Sequence, residues 1–269
     1  MFTVLNTWIV GLPTALAVCT VVGLTTALAL MGLVLLRAFV PHGIRRSHNE
    51  VAGASITVVG GIYAVLLAFI AVAVWEDFGK ADAGVQSEAN LVGNLYRDTV
   101  GLPDPLASEL RHTLFIYAET ALQDEWPALA AGRAEDAAGW QLLDRFHLRL
   151  VKFRPADAGE QAVEAEMLRT LNALYDARRG RFHAAAEGLP PILWWNLIAG
   201  AALTIAFSCL LGAQNLAMHA VMTTLLAASV AIVLSLIVLL ANPFRGANAV
   251  SAAPFAELVR TVESMAYPR

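Results

Sequence analysis

The sequence predicts an all-α integral membrane protein, with four transmembrane helices and a helical cytoplasmic domain inserted between helices two and three. Three observations predict this fold class. The chain of 269 residues is 58% apolar with a mean hydropathy of +0.60, which is too high for a soluble protein of that length. Positions 1–36 and 188–244 contain no Asp, Glu, Lys or Arg. Most of the charged residues are instead concentrated in one central segment.

Four apolar runs are long enough to cross a bilayer, because about 18 or more apolar residues span the hydrocarbon core as a helix. They cover residues 8–36, 52–75, 189–211 and 217–241. Helices satisfy their own backbone hydrogen bonds in lipid, and the runs lack the short alternating segments of a β-barrel. The first run is about twice as long as the apolar region of a signal peptide, so we expect it to be a transmembrane helix.

The central segment, residues 76–187, carries 19 of the 22 acidic residues and 12 of the 18 basic ones. Apolar side chains recur in it at helical spacing, with stripes that begin at Leu106 and Val163, and such stripes predict amphipathic helices. We expect the long helices of this segment to continue from spans two and three. We expect Arg169, Arg178 and Arg179 on the solvated side. The cluster Arg178-Arg179-Gly180-Arg181 in front of span three could lie against anionic headgroups, although a simple stop-transfer charge is the favoured interpretation.

The chain is therefore divided into four parts. Residues 1–75 form transmembrane helices one and two, 76–187 the helical cytoplasmic domain, 188–244 transmembrane helices three and four, and 245–269 a C-terminal tail.

Basic residues predict which face of the membrane carries the domain, since Lys and Arg prefer the cytoplasmic side. Those near the membrane on the domain side outnumber those of the first short loop: Lys80, Arg178, Arg179, Arg181, Arg245 and Arg260 against Arg37, Arg45 and Arg46. We expect a multi-pass protein of the cell inner membrane or plasma membrane. Both termini and the helical domain would be cytoplasmic.

Several short motifs in this order resemble the bestrophin-like domain family of unknown function. The second span carries the most specific ones, and the others lie near the domain and the C-terminus: His48-Asn49-Glu50-Val51-Ala52-Gly53, Tyr63-Ala64-Val65-Leu66-Leu67-Ala68-Phe69, Val74-Trp75-Glu76, Glu88-Ala89, Leu189-Pro190, Leu193-Trp194, His219 and Asn242-Pro243-Phe244-Arg245-Gly246. The resemblance implies a bestrophin-like oligomeric anion channel with a narrow apolar neck on the second span. The chain departs from the family pattern at Asn242, where an Asp is expected, so no carboxylate role is implied there.

The second span holds 25 uncharged residues between Glu50 and Glu76. Small residues recur along it every four positions, as lipid-embedded helix interfaces require. Close packing within one chain and packing of several copies around an axis explain this pattern equally well. In the second case Ile56, Val65 or Phe69 would form a hydrophobic gate. Glu50 and Glu76 would form carboxylate rings at the pore mouths, about 39 Å apart at 1.5 Å per residue, and such rings favour cations, so selectivity stays open.

Other chemistry is weakly indicated. His219 is the candidate intramembrane polar residue, since an ionisable side chain within a span is a functional hypothesis, although at its depth it could also reach headgroups. Ser47 or Asn49 is expected to cap the start of span two. No catalytic, phosphate-binding or metal-binding motif is present, so we predict no enzyme, cofactor or metal site. The net charge of −4 also argues against nucleic acid as a partner.

Two classes of function remain. The first is a homo-oligomeric ion channel of four or five copies, whose partners are the lipid bilayer, inorganic ions and further copies of itself. The alternative is a membrane-anchored scaffold or accessory subunit, whose cytoplasmic helices dock a partner protein while the spans serve only as anchors. A transporter is less favoured, because its usual signs, broken helices and ionisable groups at mid-membrane, are weak in this sequence.

Overall fold

The computed structural model describes residues 9–133 and 137–266, which are helical and contain no strand. The predicted start of the first span at residue 8 lies outside these residues. The helices, numbered here in chain order, are α1 Thr14–Phe39, α2 His42–Ser47, α3 Asn49–Asp98, α4 Leu106–Thr120, α5 Trp126–Ala130, α6 Ala138–Lys152, α7 Ala158–Ala186, α8 Pro191–Leu210, α9 Leu216–Leu240 and α10 Ala253–Ala266. The all-α prediction is confirmed, and α1, α3, α8 and α9 are long and apolar enough to cross a membrane.

The helices form two compact units. The first, called here the apolar unit, comprises Met1–Glu76, Gly188–Asn242 and Gly246–Asn248. The second, called the polar unit, comprises Asp77–Glu187, Pro243–Arg245 and Ala249–Arg269. The first part of α3 thus belongs to the apolar unit and the rest to the polar unit.

Within the apolar unit, α1 packs against α9 and α8, and α8 also contacts α9. Small buried side chains mark these contacts, with Ala17 and Ala29 on α1 and Ala227 and Ala231 on α9. In lipid no hydrophobic effect drives helices together, and small residues stabilise their contact by letting the backbones approach closely. Most other side chains of α1 face outward, as expected for a helix surrounded by lipid or by other chains.

The polar unit has its own apolar core, built from the amphipathic stripes of α4, α6 and α7. Leu110, Leu114 and Tyr117 of the predicted first stripe are all buried. The C-terminal segment, expected to be a tail, contains α10, which packs against α4 and buries Phe255 completely. It therefore completes the core of this unit.

The expected continuation of helices is correct at span two and wrong at span three. Helix α3 runs unbroken from Asn49 to Asp98. Helix α7 ends at Ala186, and α8 begins only at Pro191 after a non-helical linker. Proline has no backbone N–H to donate and is favoured at the first helical position, so Pro190 and Pro191 start a new helix here.

Candidate ion-pathway site

One face of α3 packs inside the apolar unit. Tyr63, Leu67, Ile70 and Val74 follow one another at intervals of three or four residues, and all four are buried. The Tyr63 hydroxyl donates a 2.9 Å hydrogen bond to the backbone carbonyl of Leu197 on α8. This face therefore fixes the rotation of α3 about its own axis.

The contact between α3 and α8 depends on a glycine. Gly200 lies under the ring of Tyr63, and a Cβ atom at this position would overlap the ring carbons. Only a residue without a side chain lets the aromatic ring approach the α8 backbone so closely. The tyrosine of the second-span motif therefore has a packing role.

The opposite face of α3 is not packed against other parts of the described chain. Val51, Val58, Val65 and Val72 recur every seven residues along it, and each is more than half exposed. A seven-residue repeat keeps one stripe of a helix facing a common axis when several helices supercoil. We call these four side chains the valine row.

Small residues accompany the valine row. Ala54, Gly61 and Ala68 each follow a valine by three positions, and all three are exposed. From Val51 to Val72 the helix rises by about 32 Å, which matches the thickness of the hydrocarbon core. The row thus provides an uncharged, narrow surface as long as the bilayer is thick.

The structure separates the three predicted gate residues. Val65 belongs to the valine row, and Phe69 lies one turn further on and is 72% exposed. Ile56 is partly buried and lies two turns before Tyr63, on the packed side of the helix. Ile56 lies nine residues before Val65, which corresponds to a rotation of about 180° around an α-helix, so the two side chains cannot share a face. Sequence reasoning missed the valine row because α3 is apolar on every side.

The two predicted mouth carboxylates are both exposed. Glu76 comes one turn after Val72 and therefore lies on the side of the valine row. Glu50 directly precedes Val51 and is rotated from it by about 100°, which is the turn per residue of an α-helix. Of the two, Glu76 is the better placed to face a common axis.

The start of α3 is held by side chains in an arrangement that differs from the expected cap. Ser47 Oγ donates to the Ile44 carbonyl at 2.9 Å, and His48 Nδ1 lies 2.8 Å from the same oxygen. Asn49 Oδ1 accepts a 2.6 Å hydrogen bond from the backbone N–H of Gly212. Ser47 and His48 therefore terminate α2, and Asn49 ties the start of α3 to the α8–α9 connection.

His219 lies inside the apolar unit and does not reach outward, as it is only 2% exposed. Its Nε2 is 2.9 Å from the Ser208 carbonyl, which can only accept, so Nε2 carries the proton. Its Nδ1 faces Arg37 Nη2 at 3.5 Å as an acceptor. The imidazole therefore links the end of α8 to the end of α1 and is buried inside the apolar unit.

A buried group of four charged residues lies within the polar unit, and we call it the charge quartet: Glu88, Glu125, Arg178 and Arg181. Arg178 binds Glu125 with two parallel hydrogen bonds of 2.6 and 3.0 Å. Arg181 binds Glu88 at 2.7 and 3.0 Å and Glu125 at 2.7 Å. With two negative and two positive charges, the quartet is neutral as a whole.

Aromatic rings enclose the charge quartet. The Tyr117 hydroxyl donates to Glu88 at 2.5 Å, and the ring of Phe182 lies within 4.9 Å of both guanidinium carbons. Burial alone lowers the pKa of Arg181, but the nearby Glu88 carboxylate outweighs this and raises it above its ordinary value. Burial, and next the Glu88 charge, also raise the pKa of Tyr117. These groups are therefore held in fixed ionisation states.

The burial of Arg178 and Arg181 corrects the expectation that this basic cluster faces solvent or headgroups. Only Arg179 does so, and it pairs with exposed Asp176 one turn away. The sign of burial in the sequence was that Glu88 lies on the same stripe of α3 as Val85 and Ala89, but its partner Arg181 is 93 residues away in sequence. A local pattern cannot reveal such a pairing.

Among the described residues, no group of three or more His, Cys, Asp or Glu side chains could hold a metal ion.

Comparisons with known proteins identify relatives of the fold. The Bestrophin-like domain family matches residues 23–255. A solved bacterial bestrophin homologue from Klebsiella pneumoniae has a TM-score of 0.67 and 17% sequence identity, covering 90% of this chain and 97% of that chain. A mutant of a bacterial bestrophin homologue from the same organism has a TM-score of 0.66 and 15% sequence identity, covering 92% of this chain and 98% of that chain. A structure described as a membrane protein has a TM-score of 0.65 and 16% sequence identity, covering 91% of this chain and 98% of that chain. The search of curated proteins found no match.

Proposed function

The chain belongs to the Bestrophin-like domain family, and we propose that it forms a homo-oligomeric membrane ion channel. In this proposal α1, α3, α8 and α9 span the bilayer. Copies of α3 surround a pore, with Phe69 and Val65 forming its hydrophobic neck. Bestrophins are oligomeric ion channels, and the fold shared with the bacterial homologues supports the same class for this chain.

The valine row is the observation that carries the proposal. It is an exposed surface of α3 that repeats every seven residues and alternates valine with alanine or glycine. The exposed surface of α1 differs, because it mixes large side chains such as Leu28 and Met31 with small ones and carries no residue type at four positions spaced by seven. Small residues are enriched where membrane helices pack against each other, whereas a surface that faces lipid does not require them. This difference favours other copies of α3, rather than lipid, as the neighbours of the row.

A neck of this kind excludes ions by losing its water, since apolar walls of small radius dewet. Between Val51 and Val72, Phe69 has the largest exposed side chain, and it is unpacked in the single chain. Glu76 would follow at the mouth as a ring of carboxylates, which attracts cations. The charge at this mouth is therefore expected to influence which ions pass.

The experiment is ion flux through purified protein reconstituted in vesicles. Phe69→Ser and Val65→Ser should each raise the flux, because a hydroxyl rewets the neck. The control is Leu225→Ser, which makes the same kind of change at an exposed position of α9 and should leave flux unchanged. Folded oligomers that pass no ions, with or without these changes, would refute the channel and favour a membrane-anchored scaffold.

Selectivity is measured with the same vesicles under a salt gradient. Glu76→Gln should shift the reversal potential toward anion preference, because it removes the negative ring nearest the row. Glu50→Gln should have the smaller effect, since that side chain is rotated away from Val51. An equal response to both changes would contradict the proposed orientation of α3.

A further inference from the structure

The two short connections of the apolar unit meet at one end of its helices. Gly212, between α8 and α9, lies against the backbone of α2, where a Cβ atom would come within 2.6 Å of the Arg46 nitrogen. Its N–H donates to Asn49, as described above. The connection between α1 and α3 is thus locked onto the connection between α8 and α9, and the side chains between them are held in place.

Two arginines lie in this locked region without a carboxylate partner among the described residues. Arg37 Nη2 donates to the Ala213 carbonyl at 2.9 Å, but its Nε is buried and has no hydrogen-bond partner. Arg45 is only 5% exposed, and both its Nε and its Nη1 are buried without a partner. Glu50, the acidic residue nearest in sequence, is exposed and pairs with neither arginine.

Such an arrangement is costly unless a negative charge is present. A guanidinium group taken out of water loses its hydration, and each buried N–H without an acceptor adds to the loss. Burial, and then the neighbouring Arg37 charge, lower the pKa of Arg45. This pair of like charges contrasts with the neutral charge quartet, in which each arginine has a carboxylate partner. An anion bound at this position would offset the cost.

We propose that Arg37 and Arg45 bind a phosphate-type oxyanion at this end of the apolar unit. The planar fork of a guanidinium matches two oxygens of a phosphate, and three buried nitrogen atoms without a partner can donate to it: Arg37 Nε, Arg45 Nε and Arg45 Nη1. A phospholipid headgroup would present this chemistry at the end of α1, and soluble phosphate would present the same chemistry. The site is independent of the proposed pore, because none of its residues lies on the valine row.

Arg46 provides a matched control within the same short helix. It carries the same charge one residue away from Arg45, but its side chain is exposed. A general attraction of anions to this basic end would involve the exposed Arg46 at least as much as the partly buried Arg37 and the buried Arg45. A built site would depend on Arg37 and Arg45 alone.

The test measures thermal unfolding of the full-length protein in delipidated maltoside micelles, which contain no phosphate. One arm titrates inorganic phosphate against sodium chloride of equal ionic strength, and the other titrates phosphatidylglycerol. Wild type and Arg46→Gln should show the same saturable rise in Tm. Arg37→Gln and Arg45→Gln should need at least about tenfold more ligand for half the effect, since each removes a charge-assisted contact. A response to lipid alone identifies a headgroup, and a response to phosphate identifies a soluble anion as a sufficient ligand.

A second variant tests the sign of the effect. Without ligand, Arg45→Met should unfold at the wild-type Tm or above it, because it removes an uncompensated buried charge. With saturating ligand the order should reverse. The proposal is overturned if wild type responds in neither arm, if Arg46→Gln weakens binding as much as Arg45→Gln, or if Arg45→Met shows no reversal. If Arg45→Gln does not fold, Arg37→Gln decides the binding comparison.

Discussion

Replacing Arg181 with Met should destabilise the polar unit far more than the same change at Arg179, two residues earlier. Arg181 makes three hydrogen bonds of 2.7 to 3.0 Å to Glu88 and Glu125, and all three side chains are at most 1% exposed. Its removal leaves the charge quartet with one uncompensated negative charge in a dry interior. Breaking a buried pair in this way costs about 3–5 kcal/mol. Arg179 makes one exposed contact, for which about 0–1 kcal/mol is usual.

The measurement is thermal and denaturant unfolding of full-length protein in detergent. A loss of 3–5 kcal/mol corresponds to a fall in Tm of roughly 6–20 °C for a unit of this size. The double change Arg181→Met with Glu88→Leu should cost less than the two single changes added together, because it removes one charge of each sign. If Arg181→Met lowers Tm no more than Arg179→Met, or if the costs are simply additive, the electrostatic reasoning is wrong.

Three further outcomes are expected. Mass measurement of the detergent-solubilised protein should give four or five copies, and monomer alone would exclude the proposed pore. Gly200→Ala should lower Tm by an amount equivalent to about 1–3 kcal/mol, because the methyl group overlaps a tyrosine ring, whereas Gly23→Ala has open space and should be nearly neutral. In a Cys19→Ala background, an impermeant thiol reagent on intact cells should label Gly43→Cys and spare Ala156→Cys if the polar unit is cytoplasmic. Reversed labelling would place it outside.

The helices themselves follow from local sequence, because a charge-free run of sufficient length determines an apolar helix without reference to anything distant. The predicted third span, 189–211, differs from Pro191–Leu210 by only two residues at its start and one at its end. The second span is harder to delimit. Its helix continues far beyond the apolar run to Asp98, because nothing after the membrane-length segment breaks it until Gly101 and Pro103.

The orientation of each helix could not be predicted in the same way. Amphipathic stripes correctly place Leu110 and Leu114 in the apolar core of the polar unit, since polar neighbours mark the solvent-facing side of the helix. Helix α3 offers no such contrast, so the packed position of Ile56 and the exposed position of Phe69 depend on where α8 lies. The fates of Arg45 and Arg46 are likewise decided by Gly212, which is distant in sequence. Packing partners, rather than local pattern, settle these positions.

The neutrality of the charge quartet also constrains how the chain can change over time. Any single substitution that removes Glu88, Glu125, Arg178 or Arg181 leaves an unpaired buried charge, so one-step mutational paths at these positions lead through an unstable protein. Viable paths must alter positions of opposite sign together. Related chains are therefore expected to keep or lose the charges at residues 88 and 181 together. This paired change should be visible in their sequences even where the neighbouring helices have diverged.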